Sequence, residues 1–149
     1  MVDFIGSLQK GLSAAHMAEK NKLEINSVFS ILNEQLFNAF EGKIKVGVYN
    51  RVNPFGGLLT FSSNKPKPES QFIGAKNPLA EDQSAVELAG WKIDANGYPC
   101  HIITADAETY CENKTALEYG LQYLLSLPDV GEKVLELLAR KPKSVVKPD

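Results

Sequence analysis

The sequence predicts an α+β fold: an antiparallel sheet of four to five strands in two hairpins, with an N-terminal helix or helix pair and two C-terminal helices. Three observations predict it. Apolar residues recur at spacings of three and four over residues 2–41 and again over 117–138, the signature of helices buried along one side. Between them, residues 43–112 carry short alternating stretches punctuated by turn residues, the signature of strands. Helices gathered at the ends of a run of strands, with no βαβ alternation, argue for helices layered on a sheet.

In the first segment Ile5, Leu8, Leu12 and Ala15 form one periodic set, and Ile25, Val28, Phe29, Leu32, Leu36 and Phe40 form another. The polar run Glu19, Lys20, Asn21, Lys22 separates them, and Asn21 with Glu24 has capping-box spacing. An unbroken helix over this segment would reach about 60 Å at 1.5 Å per residue, longer than a domain of this size. The sequence therefore favours a break near residue 20. Gly42 suits the left-handed position that closes a helix.

The nine residues KIKVGVYNR, Lys43 to Arg51, read as the first strand. Period-2 alternation puts Ile44, Val46 and Val48 on a core face and Lys43, Lys45, Gly47, Tyr49 and Arg51 on the other. A turn through Asn53, Pro54, Phe55, Gly56 and Gly57 leads to an expected second strand at 58–63, then a proline-containing loop over 64–84. A third strand spans Val86 to Asp94. Its apolar phase slips between Leu88 and Trp91, so a bulge is expected at Gly90. Asn96-Gly97 is a hairpin signal, followed by strands at Tyr98–Thr104 and Thr109–Glu112. Thr115 with Glu118 forms a capping-box pattern ahead of Leu117, Leu121 and Leu124, and Pro128 opens the last helix. The expected organisation is one domain over 1–140 and a basic flexible tail over 141–149.

Composition narrows the function classes. The 149 residues are 44% hydrophobic and 23% charged, ordinary for a globular domain able to bury its own core. A net charge of −2 gives no global attraction to nucleic acid or to anionic lipid. No segment has the roughly 20 apolar residues a membrane helix needs. The N-terminus carries Asp3 where a secretory signal needs positive charge, so a cytoplasmic protein with reduced thiols is expected.

Catalytic motifs are missing: there is no Gly-x-Ser-x-Gly elbow, His-Glu-x-x-His pair or phosphate loop. If Ala105 and Asp106 make a two-residue turn, Cys100 and Cys111 lie opposite each other, and a thiol-dependent enzyme using Cys100 or Cys111 is a further alternative. His101 adjoins Cys100, but alternation sends the two side chains to opposite faces. Asp94, Asp106, Glu108 and Glu112 crowd the same hairpin without a cation-loop spacing, and neither a metal nor a cofactor is expected.

Two surfaces remain. The N-terminal helix has more apolar side chains than one stripe needs, and Phe29, Leu36, Phe37 and Phe40 are the expected contacts for a protein partner or a second copy. On that basis the chain reads as a non-enzymatic interaction protein of adaptor, inhibitor, immunity or chaperone type. The alternative is single-stranded nucleic-acid binding, with Lys43, Lys45 and Arg51 along the backbone and Tyr49 and Phe61 stacking on bases. A solvated sheet face would show the same basic pattern.

Overall fold

A computed structural model describes residues 1–51 and 71–144. Helix α1 (Phe4–Phe40) leads into five strands, β1 (Lys45–Asn50), β2 (Gln71–Lys76), β3 (Val86–Ile93), β4 (Cys100–Ile103) and β5 (Glu108–Cys111). Helices α2 (Lys114–Leu125) and α3 (Pro128–Ala139) follow. The strands form one antiparallel meander in sequence order, β1-β2-β3-β4-β5. The arrangement is the α+β fold that the segregation of the apolar periods implies.

Cross-strand partners share a face, so the register sorts the sheet into two sides. Val46 pairs with Ala75, Val48 with Ile73, Ile73 with Ala89, Trp91 with Ile102, and Cys100 with Cys111. These residues join Ile25, Val28 and Phe29 of α1 and Leu117, Leu121 and Leu124 of α2 in a single core, to which α3 adds Val130 and Leu137. The Phe29 and Trp91 rings pack edge-to-face, their centroids 5.6 Å apart and their planes at 85°. The second side carries the row Tyr49, Phe72, Gly90, Ile103, Glu108 across all five strands.

Four expectations change. First, α1 is a single helix of 37 residues, about 55 Å long. The run around residue 20 contains neither Gly nor Pro, and nothing confines a helix to the width of its domain. Asn21 does not cap: its Nδ2 donates to the Asn96 carbonyl at 2.9 Å, which ties the middle of α1 to the β3–β4 connection. Second, residues 71–76 are not loop but the strand paired with β1. Ile73, Gly74 and Ala75 are all buried, so this central strand lacks the alternation that would announce it. The expected strand at 58–63, the turn before it and Phe61 lie outside the described residues. Third, the bulge falls at Leu88 rather than Gly90, because Ala89 pairs with Ile73 while Glu87 already pairs with Gly74. Gly90 serves close approach instead: a Cβ there would sit 3.2 Å from that of Ile103. Fourth, the segment expected as a basic flexible tail, of which residues 145–149 lie outside the described residues, starts with backbone bonds to 79–81. The Glu81 N–H donates to the Lys141 carbonyl at 2.9 Å, and the Lys143 N–H donates to that of Leu79 at 2.9 Å.

The helix ends follow their local chemistry. Glu41 (φ 56°) and Gly42 (φ 81°) both turn left-handed to close α1. Asn113, two residues ahead of the expected cap, accepts the Ala116 N–H at 2.9 Å and starts α2. Pro128 opens α3. Buried Asn77 holds the other end, its Nδ2 donating to the Leu137 carbonyl at 2.9 Å while its Oδ1 accepts the Leu79 N–H at 3.0 Å. Among the described residues no helix is long and apolar enough to cross a membrane.

Candidate partner-binding groove

The C-terminal half of α1 lies along β1, an edge strand among the described residues, whose outer backbone groups need partners. Asn33 supplies them at one residue: its Oδ1 accepts the Val46 N–H at 2.8 Å and its Nδ2 donates to the Val46 carbonyl at 2.7 Å. A side-chain amide thus does what a neighbouring strand would do. With α1 fixed there, Leu36 and Phe40, one and two turns further on, face α3 across a gap.

That gap is a groove of about 630 Å³. Ile44 and Val46 form its base, Leu36 and Phe40 one wall, and Val134, Leu135 and Leu138 the other. Among the described residues Glu132 is the only charged one that lines it. A lining of this kind suits burial of apolar side chains, with the Glu132 carboxylate placed to meet a basic group.

The four expected partner contacts therefore separate. Leu36 and Phe40 line the groove. Phe37 is exposed beside Gly42, whose Cβ position lies 3.1 Å from its ring. Phe29 is a core residue, which corrects its placement on a partner-facing surface: it sits one turn from Ile25 and shares the sheet-facing stripe. The α3 wall escapes the sequence reading, although a signal for it exists. Val130, Val134 and Leu137 define a core stripe, and Leu135 and Leu138 widen it beyond what one sheet contact needs.

The second side of the sheet brings together only part of the basic set. Lys45 and Tyr49 stand on it and Arg51, just past the strand end, reaches over it, whereas Lys43 precedes the strand. The Tyr49 and Phe72 rings pack at 5.8 Å, and Lys76 Nζ lies 5.9 Å from the centre of the Tyr49 ring. Partial burial raises the Tyr49 hydroxyl above its usual range and keeps it protonated. The Arg51 guanidinium lies over Phe72 and pairs with Glu87 at 2.8 Å. Phe72 and Lys76 were hidden by the reading of their segment as loop.

The hairpin groups also resolve. Cys100 and Cys111 are cross-strand partners, as the 105–106 turn implies, and both are fully buried free thiols. Burial pushes Cys100 up to about 12, with the Cys111 thiol beside it adding to the effect, and burial likewise raises Cys111. His101 points to the opposite face, where its Nδ1 lies 3.0 Å from Glu108 and its ring 4.7 Å from that of Tyr110. Among the described residues no group of three or more His, Cys, Asp or Glu side chains is placed to hold a metal ion. Comparison of the chain with family models, with curated proteins and with solved structures returns no match.

Proposed function

We propose that the chain is a non-enzymatic interaction protein that seats an apolar segment of a protein partner, such as one face of an amphipathic helix, in the groove between α1, β1 and α3. The carrying observation is a gap of about 630 Å³ whose lining, among the described residues, is apolar except for Glu132. A solvated face has no reason to gather Leu36, Phe40, Val134, Leu135 and Leu138 around one depression, whereas peptide-binding grooves are built this way. Adaptor, inhibitor, immunity and chaperone roles all use such a groove, and a cytoplasmic setting, which keeps Cys100 and Cys111 reduced, belongs to the proposal.

Val134→Glu with Leu138→Glu tests it, because both side chains are half-buried at the groove and neither belongs to the fully buried core. The double variant is expected to keep the wild-type circular dichroism spectrum. It should lose at least tenfold in capture of the native partner by the tagged full chain and in binding of an apolar fluorescent dye. Equal capture and equal dye binding by the folded variant would remove the groove from the function.

A second reading is favoured by the Tyr49–Phe72 ring pair, flanked by Lys45 and Lys76, which face each other across the β1–β2 pairing. Aromatic platforms beside lysines are what sequence-tolerant single-strand binding uses. On this reading, Lys45→Glu with Lys76→Glu is expected to abolish salt-sensitive binding of a fluorescein-labelled oligothymidine. Undiminished binding by the double variant would end it.

A further inference from the structure

Helix α1 carries apolar residues on two faces, and the domain uses one. At 100° per residue, Ile25, Val28, Phe29 and Leu32 share the face turned to the sheet, where all four are buried or half-buried. Ile5, Leu8, Leu12 and Leu23 fall within about 60° of one another on the far side, and Phe37 falls on the same line. These five are between 53% and 66% exposed. The domain attaches to α1 from Asn21 onward, through the Asn21 bond to Asn96 and the Tyr98 hydroxyl, which donates to Glu24 at 2.8 Å. From Phe4 to Met17 every residue except Gly6 is exposed, so about 20 Å of helix stands clear of the described fold.

The free part has the spacing of a two-helix seam: Ile5, Leu8, Leu12 and Ala15 step by three and four, and Glu19 and Lys22 continue the same steps. We infer that a second copy of this chain covers the stripe, the two α1 helices packing antiparallel about a twofold axis near residue 21. Length, area and charge each support this occupant. Residues 4–20 reach about 25 Å and residues 21–40 about 30 Å, so an antiparallel pair lays each free end along the domain-bearing half of the other copy. Ile5 and Leu8 then meet Phe37 of the second copy, the one large exposed apolar side chain on that line near the end of the helix.

Burying such side chains removes roughly 60–120 Å² of apolar surface each. Those five, with exposed Phe4 and their polar flanks, bring the contact close to the approximately 800 Å² per partner of a stable interface. A parallel pair would set Glu19 against Glu19 and Lys22 against Lys22, whereas the antiparallel pair brings each Glu19 within a turn of Lys22 of the second copy. The interface is isologous and closes as a dimer, with the two domains on its outer sides.

Sedimentation equilibrium of the full chain at about 10 μM is expected to give twice the 16.3 kDa chain mass. Leu8→Glu with Leu12→Glu, both on the free part, should weaken dimerisation at least 100-fold and leave the circular dichroism spectrum and Tm unchanged. A wild-type chain that stays monomeric at about 100 μM, or a double variant that stays dimeric, would overturn the inference. Orientation is read with a bismaleimide cross-linker. Ile5→Cys combined with Phe37→Cys should give covalent dimers, because the two positions are about 48 Å apart within one helix. Ile5→Cys alone should give none, and efficient cross-linking of that single variant would overturn the antiparallel arrangement. Val134→Glu with Leu138→Glu should leave the mass at the dimer value, so this inference and the groove fail separately.

Discussion

Phe29→Ala is expected to lower stability by about 3–5 kcal/mol, the usual range for removing a buried phenylalanine ring. Phe29 is the point at which α1 is fixed to the middle of the sheet. Its ring packs edge-to-face with Trp91, centroids 5.6 Å apart, and Trp91 is itself buried on β3. Truncation removes the transfer energy of the ring and the edge-to-face contact, and leaves a cavity beside Trp91, whose cross-strand partner Ile102 is also buried. Against a total of about 5–15 kcal/mol this is a large fraction. At roughly 2–4 °C per kcal/mol for a chain this long, Tm should fall by about 10 °C. Thermal and urea unfolding followed by circular dichroism check it. A loss below about 1 kcal/mol would mean that α1 is held mainly by its other contacts.

Why Phe29 read as a partner contact shows where the sequence was legible. Helix period alone says that α1 has two apolar sets, but not which set the domain will use. Ile25, Val28, Phe29 and Leu32 were chosen by the sheet because the Asn96-Gly97 turn and Asn33 hold that half of the helix against it. Both anchors are contacts between residues distant in sequence. Where the information was local, it could be read. Thr104 and Ala107 pair around the 105–106 turn, with the Thr104 N–H donating to the Ala107 carbonyl at 2.8 Å, and the facing of Cys100 and Cys111 follows from that register. Pro128 and Gly42 mark helix ends for steric reasons that need no tertiary context.

β2 was illegible for the opposite reason. QFIGAK is short and buried on consecutive residues, and Gly74 stands where a strand reading asks for a side chain. The structure shows what fills that place: a Cβ on Gly74 would lie 2.7 Å from the Phe72 ring and 3.0 Å from Tyr49. The two aromatics fold over the glycine, so the surface that a sequence reader misses is supplied by neighbours on two strands. The groove has the same character. Leu36 and Phe40 were visible as surplus apolar residues, but a groove needs two walls, and the α3 wall meets them only after some ninety residues of intervening chain have folded.

Asn33→Ala is expected to cost about 2–4 kcal/mol, a large effect for a half-buried polar residue outside the core cluster. The side chain satisfies both backbone groups of Val46, a residue only 2% exposed, and alanine would leave the two groups buried under α1 without a partner. Each stranded group costs about 1–3 kcal/mol, and some relaxation of the helix toward the strand keeps the sum below the upper limit. Asn33→Leu should do no better, because it keeps the bulk and still removes the amide. The local readout is hydrogen exchange at the Val46 amide, which should lose at least tenfold in protection. Because Leu36 and Phe40 follow on the same side of the helix, release of the Val46 bonds also frees the α1 wall of the groove. Apolar-dye binding should therefore weaken in a variant that changes no lining residue. Wild-type exchange at Val46 together with wild-type dye affinity would show that Asn33 neither pairs the edge strand nor sets the width of the groove.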